Sequence, residues 1–485
     1  MTWTTSRKGR LWPLLMLLFT LGSRADTCLG QETPLPEDVV RAWQNAGATV
    51  GWVGLDFFGQ LRFQPAKLGV REPLPAFRVA RWKEGTLAGL PVPPNEFGLV
   101  LSDTQIGDEG LVELVSMKSL GWLFLDGTLV TDVGLKQLAP LPDLVALNLA
   151  RTRVMDAGLK ELAGATRLEI LNLSDTQISD AGLKALRAIP RLRWLDLTRT
   201  RVTDAGLQEL AGLRLDTLRI PPPAQTDVGL AHYLAALERH DVLNLAGWRI
   251  TDGGLKELAK SKSLQILSLQ GTAITDAGLK ELADMRSLYR LHLSRTKITD
   301  HGAATLASMR NLRWLDLSYT DVTDAGLKEL TAIGNLQSLD LSGTPVSDAG
   351  LKVVAEWKGL HQLLLKETQV TDVGLKDVAA LSNLQMLQLR NTKVTDEGVK
   401  ELTRLSQMRY LDLGHTQITD AALRELAGLE NLQTLLLSGT GVTDAGLKAL
   451  VPLKRLQNLH LFDTSVTDAA IAELKKAIPR CLVTK

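Results

Sequence analysis

The sequence predicts an α/β solenoid, curved into a horseshoe, with a parallel β-sheet along its concave side and short helices along its convex side. Three observations lead there. A phrase close to Leu-x-x-Leu-x-Leu-x-x-Thr-x-Ile/Val-Thr-Asp-Ala-Gly-Leu-Lys-Glu-Leu recurs sixteen times between Thr104 and Thr464. An aspartate after each short Thr or Ser keeps the register, from Asp108 and Asp132 through to Asp444 and Asp468, nearly always 24 residues apart. Within each unit the apolar spacing changes from two to three, so each carries one strand and one helical turn. One such unit cannot bury its leucines alone, and stacking neighbours buries a continuous core.

Taken in chain order, the first element is a basic stretch, Arg7, Lys8 and Arg10, before an apolar run from Leu11 to Leu21 and then Gly22-Ser23-Arg24-Ala25. This is the pattern of an export signal cleaved after Ala25. The run is about a dozen residues where a membrane span needs about 20. The mature chain is therefore expected without an integral span, in the periplasm, at the cell surface or outside the cell. Residues 26–96 form an N-terminal cap and an irregular segment. Glu37 to Gly47 reads as a helix with Val39, Val40, Trp43 and Ala46 on one side and Gly47 as its stop. Thr49 to Leu55 reads as a strand, and another is expected at Phe77–Trp82. Prolines and glycines break the pattern from Gly59 to Glu96, which is either an extension of the cap or a surface loop.

Residues 97–485 hold the repeats. In Leu192-Arg193-Trp194-Leu195-Asp196-Leu197 the strand turns Leu195 and Leu197 inward and Trp194 and Asp196 outward. The recurrent Thr (Thr104, Thr128, Thr152 and onward) falls where the chain leaves the strand, and its hydroxyl suits the backbone groups of the bend. Each Asp stands before a helix and is expected to cap it. Glycine two residues later gives way to alanine at Ala422 and Ala470. Positive φ is therefore not required there, and close approach between coils explains it better. Two steps depart from 24: Asp204 to Asp227 is 23 and Asp227 to Asp252 is 25. Pro221-Pro222-Pro223 stands in that unit where others have the strand exit, and Trp248 replaces the Thr of the next. Proline donates no N–H, so the ladder should be broken or displaced here. At the end, Ile471 to Ile478 completes the last helix, Cys481 occupies a leucine slot, and Cys481–Thr484 is expected as a final edge strand.

The residues just quoted resemble the leucine-rich repeat family over about 97–485, and most closely its ribonuclease-inhibitor and F-box cysteine-containing subclasses, which use Ile-Thr-Asp-x-Gly-Leu-x-x-Leu in the same place. The usual Asn or Cys closing the strand is Thr here. The resemblance implies a curved solenoid that works through protein contact on its concave face, with no catalytic residues to transfer.

Composition narrows the function further. With 55 basic and 54 acidic residues the net charge is +1, which gives no long-range field to hold nucleic acid or an anionic membrane. The seven histidines are scattered, and no metal, cofactor or nucleophile motif is present. No enzyme, cofactor or metal site is expected. Cys28 and Cys481 lie at opposite ends of a wall on the order of 75 Å along its arc, from strands at ~4.8 Å spacing, too far for a disulfide. Candidate binding residues are the three variants Arg193-Trp194-Asp196, Arg313-Trp314-Asp316 and Arg409-Tyr410-Asp412, with Trp122, Phe124 and Tyr319. Each triplet would set a ring, a basic group and a carboxylate together on the concave wall, and Trp, Tyr and Arg dominate binding hot spots. Rings on a strand also commonly lie over their neighbours. The expectation is an exported, non-catalytic scaffold that binds a protein partner. Two alternatives are a module for carbohydrate or cell-envelope polymer and an F-box-like ubiquitin-ligase substrate adaptor.

Overall fold

The structure is a computed structural model that describes residues 35–57, 59–67 and 69–485. The export-signal pattern and Cys28 lie outside the described residues. The first helix, α1 (Glu37–Asn45), carries Glu37 and Asp38 in its first turn, where they complement the helix dipole. It buries Val39 and Trp43 and stops before Gly47, whose φ of 88° suits a helix exit. Trp43 stacks on Phe77 at 4.3 Å between ring centres, meets the edge of Phe97, and donates its indole N–H to Pro91 O at 2.9 Å. These rings seal the first coil, the role the sequence assigns to this helix.

Between helix and repeats the chain forms three strands and then turns. Strands β1 (Ala48–Leu55), β2 (Leu61–Gln64) and β3 (Arg71–Val79) pair antiparallel in the order β2-β1-β3, so that β1 forms a hairpin with β2 and a second antiparallel ladder with β3. β3 then pairs in parallel with β4 (Phe97–Val100). From there the first sheet continues through β5 (Leu120–Phe124), β6 (Ala146–Asn148), β7 (Ile170–Asn172), β8 (Trp194–Asp196) and β9 (Thr217–Arg219).

The second sheet opens with β10 (Val242–Asn244), β11 (Ile266–Ser268) and β12 (Arg290–His292). It continues with β13 (Trp314–Asp316), β14 (Ser338–Asp340), β15 (Gln362–Leu364) and β16 (Met386–Gln388). The last strands are β17 (Tyr410–Asp412), β18 (Thr434–Leu436), β19 (Asn458–His460) and β20 (Leu482–Thr484). All its pairings are parallel, in chain order. The predicted break falls where the prolines stand, since β9 and β10 do not pair. Bridges at Leu215–Leu237 and Thr226–Arg249 keep the two repeats together at either end of the gap. A groove of about 320 Å³, lined by Pro222, Pro223, Gln225, Gly247 and Arg249, marks the bend beside it.

One repeat shows how the stack holds. Leu264, Leu267 and Leu269 from the strand and Leu279, Leu282 and Met285 from the convex side are buried in one core that runs the length of the chain. The Thr272 hydroxyl donates to Leu269 O at 2.7 Å and closes the bend, as Thr104, Thr320 and Thr440 do in theirs. One step earlier the backbone is left-handed in nearly every repeat. Glycine takes that place at Gly271, Gly343 and Gly439, whereas Arg151, Arg295, Tyr319, Glu367 and His415 hold it with φ of 53–57°. The sequence reading did not single out this column.

The aspartate column corrects an expectation. The helix caps are the residues before it: Thr275, in an extended conformation, accepts the N–H of Ala277, and Asp276 is the first helical residue. The carboxylate instead ties one repeat to the next. Asp252 accepts the Thr275 N–H and hydroxyl, each at 2.7 Å, and Asp348 does the same for Thr371 at 2.8 and 2.6 Å. Glycine two residues on makes this possible, because a Cβ on Gly278 or Gly374 would overlap the carboxylate reaching over from the preceding repeat. Close approach of coils is thus the glycine's role. Ala422 fits its place by donating its N–H to Asp396 Oδ1 at 3.1 Å.

Candidate binding face

On the concave side the first and second sheets differ. Trp122 and Phe124 are buried, packed with Val53, Val100 and Ala146 and bordered by half-buried Leu55, Leu61, Phe63, Leu74 and Ile170. The β1–β2 hairpin extends past the four residues of β4, and its free end lies over the face of the early repeats. Its turn reaches Trp194, since a Cβ on Gly59 would lie 3.8 Å from the indole nitrogen and 3.7 Å from the Arg219 guanidinium. Arg219 in turn covers the Trp194 ring at 5.5 Å. Trp122 and Phe124, expected as exposed rings, therefore belong to a small second core, and Trp194, outside it, is buried beneath Arg219. Apolar residues on both faces of β1 and the Leu61–Phe63 alternation were the available signals.

The carboxylates of the three triplets also have a local task. Asp196 Oδ1 accepts the Thr198 N–H at 2.8 Å, Asp316 Oδ1 the Ser318 N–H at 2.9 Å, and Asp412 Oδ1 the Gly414 N–H at 3.0 Å. Asn148, Asn172, Asn244 and Asp340 occupy the same strand position and do likewise. Acceptor side chains there close the strand exit. Arg193, Arg313 and Arg409 sit exposed just before their strands. Arg193 donates to Arg214 O at 2.9 Å, so the triplets do not form three equivalent sites.

Among the described residues no further strands cover the concave face of the second sheet, and its rings are partly engaged. The Arg290 guanidinium lies over Trp314 at 4.7 Å, and Tyr289 meets that ring edge-on at 5.6 Å. Tyr319, 38% exposed, lies across Gly343 under Arg295 and donates its hydroxyl to Glu367 Oε2 at 3.3 Å. Tyr410 is half-buried, and burial raises its phenol above the ordinary range. Between these rings the register sets five residues in one row on adjacent strands: Asp316, Asp340, Leu364, Gln388 and Asp412. His292 Nδ1 stands 3.5 Å from Asp316 Oδ2 at one end.

The electrostatics of this row differ from the first sheet's. There Arg219 stands 3.5 Å from Asp196, and Arg151 reaches both Asp103 and Asp126 at 3.0 Å. Asp340 has no ion pair among the described residues and faces Asp316 across the ladder. Burial first, and then the charge of Asp316, push its carboxyl up to about 7. Burial also raises Asp412. Lys366 and Arg390, one column further along, are half-buried, with no ion pair among the described residues. Among the described residues no group of three or more His, Cys, Asp or Glu converges to hold a metal ion.

A stack of parallel strands with helices behind them, joined repeat to repeat and exposing a long concave wall, defines a solenoid of the class built for macromolecular contact. The chain belongs to the leucine-rich repeat proteins: a family model described as a leucine-rich repeat region matches 282–475, and a second, for single leucine-rich repeats, matches 99–115, 165–186 and 260–283. The fold is similar to a leucine-rich repeat protein of Leptospira interrogans (22% identity, 81% of this chain and 96% of that one, TM-score 0.55). It is also similar to a chain of a TLR13–ssRNA13 complex (19% identity, 79% of this chain and 62% of that one, TM-score 0.54). No curated relative matches in sequence. No helix among the described residues is long and apolar enough to cross a membrane.

Proposed function

We propose that this chain is an exported, non-catalytic scaffold that recognises a protein partner on the open concave face between β12 and β17. One observation carries the reading: the β1–β2 hairpin covers the concave face of the early repeats, whereas Trp314, Tyr319 and Tyr410 stay partly exposed on the later ones. Interaction is the general use of this fold, and fold alone names no partner. The basic and apolar pattern of residues 7–25 supports export. The helical convex segments support a ribonuclease-inhibitor-like subclass. Division into a signal at 1–25, a cap region at 26–96 and a solenoid at 97–485 follows the same pattern.

Two alternatives lose support. A sugar-stacking surface needs free ring faces, whereas Trp194 lies under Arg219 and Trp314 under Arg290. An F-box adaptor needs a helical bundle before the repeats, and the described residues there form one helix and three antiparallel-paired strands. The test is affinity capture from an extracellular or envelope extract, with the parent beside a folded Trp314→Ala, Tyr319→Ala, Tyr410→Ala variant. A protein held by the parent and lost by the variant supports the reading. Equal retention by both, or capture of polysaccharide alone, rejects it.

A further inference from the structure

The rim where each repeat returns from its convex segment to the next strand carries a short basic stripe with no internal use. Lys262, Arg286 and Arg310 hold the same place in three successive repeats, in the loops that lead into β11, β12 and β13, and Arg313 follows just before β13. All four are exposed, and none makes an ion pair or a side-chain hydrogen bond among the described residues. Cations elsewhere on this rim are engaged. Arg167 pairs with Asp143 and Arg455 donates to Asn431, each at 2.5 Å, while Lys358 and Lys454 reach the Ala380 and Ala477 carbonyls at 3.4 Å. Glu238 and Gly334 hold the equivalent place on either side and end the stripe. Over 259–265, 283–289 and 307–313 the sequence has five basic residues and one acid, Asp284. Between Arg286 and Arg310 the loops leave a groove of about 180 Å³, lined also by Met285, Leu288, Met309, Ser308 and Asn311. Asn311 donates to Arg286 O at 2.6 Å and fixes one loop against the other. The groove is below the ~300 Å³ at which small-molecule pockets begin, so it suits one side chain of a larger partner.

We propose that this rim receives an extended acidic segment of a partner protein, with a carboxylate at every second residue. The spacing follows from the stack. Strands lie ~4.8 Å apart on the inside and packed helices about 8–10 Å apart on the outside, so the rim between them rises by about 7 Å per repeat. Side chains on one side of an extended chain recur every two residues, about 6.8 Å. Carboxylates at i and i+2 therefore keep step with the repeats. One enters the groove between Arg286 and Arg310, where guanidinium groups suit two-pronged pairing with a carboxylate, and the other falls between Lys262 and Arg286. The methylene stem of the first lies along Met285 and Met309. Asp284, exposed two residues before Arg286, opposes the segment without pairing with any of the four cations. A nucleic acid would need a longer run of cations and free rings for its bases. The ring at this rim, Tyr289, is instead set edge-on against Trp314. The stripe is a second surface, and its occupancy does not depend on the concave wall.

The experiment is calorimetric titration of the full chain, at low salt and pH 7, with acetyl-Glu-Gly-Glu-Gly-Glu-amide. Two further peptides accompany it, one with Gln in place of every Glu and one with the three Glu side by side, acetyl-Glu-Glu-Glu-Gly-Gly-amide. The alternating peptide should bind saturably at one site, the clustered one several-fold more weakly, and the Gln peptide not at all. Arg286→Gln and Arg310→Gln should each weaken binding about tenfold, as for loss of a hydrogen bond to a charged group. Both side chains are exposed, and circular dichroism checks that the variants fold. Asp284→Asn should tighten binding several-fold, an effect no purely structural role produces. Arg455→Gln, at a cation already engaged on the same rim, should leave it unchanged. So should the Trp314→Ala, Tyr319→Ala, Tyr410→Ala variant, which keeps failure here separate from failure of the concave face. No saturable binding, or binding that survives the double Gln variant, overturns the assignment. Equal binding of the clustered peptide overturns the alternation. Polygalacturonate held more tightly than the peptide through the same arginines would replace the protein segment with an acidic polysaccharide.

Discussion

Replacing Asp340 with Asn should stabilise the protein at alkaline pH and change little in acid. The folded carboxyl titrates at about 7 against 3.8 in the reference state. Between those values the folded chain holds a proton that the unfolded chain has released. Stability therefore falls as pH rises from about 4 to about 7, and is flat on either side for this group. A difference of about 3 pKa units at 1.36 kcal/mol each sets a ceiling of roughly 4 kcal/mol. The side chain is only partly buried by area and couples to Asp316, so about half of that, roughly 2 kcal/mol, is the working figure. Urea unfolding of wild type and Asp340→Asn at pH 4.5 and pH 8 measures it. The variant should match wild type at pH 4.5 and exceed it by roughly 2 kcal/mol at pH 8. A difference independent of pH, or a variant weaker at pH 8, would refute the reasoning.

Other consequences follow from the stack. Asp252→Ala removes the acceptor shared by the Thr275 N–H and hydroxyl and should cost about 1.5–3 kcal/mol in urea unfolding, as for hydrogen bonds to a charged group. Thr320→Val deletes the buried hydroxyl that closes its bend on Leu317 O and should lower stability by about 1 kcal/mol. Phe63→Ala thins the packing between the β1–β2 hairpin and the concave wall, and limited proteolysis should then cut within residues 56–70 at protease levels that leave the parent intact. At the break, Leu245 donates to Ser268 O while β9 and β10 do not pair. The amides of Ile220 and Val242 should therefore exchange with deuterium much faster than those of Leu245 and Ile266.

Much of this was legible because one packing solution is repeated. The leucine positions, the Thr closing each bend, the proline break and Cys481 in a core slot all follow from local pattern plus the 24-residue step. The Asp column was misassigned because Asp252 and Thr275 belong to different repeats, and capping patterns look only within a helix. Counting one period along the chain already places Asp316 beside Asp340 and would also have revealed Arg290 beside Trp314, since in-register parallel strands make such residues neighbours. The β1–β2 hairpin over Trp122 and Phe124 was harder, because Phe63 meets that wall through tertiary folding that no period announces. The left-handed column hid behind its variety, as Arg, Tyr, Glu and His share no chemistry that suggests a common backbone.

Photo-crosslinking tests the central claim most directly. A photoreactive phenylalanine analogue would be placed at Gln362 on the uncovered wall, at Ile170 beneath the β1–β2 hairpin, and at Lys328 on the convex side, and each form exposed to an envelope extract and irradiated. A protein joined through Gln362 alone is the predicted result. Joining through Ile170 or Lys328 and not Gln362 would contradict the account.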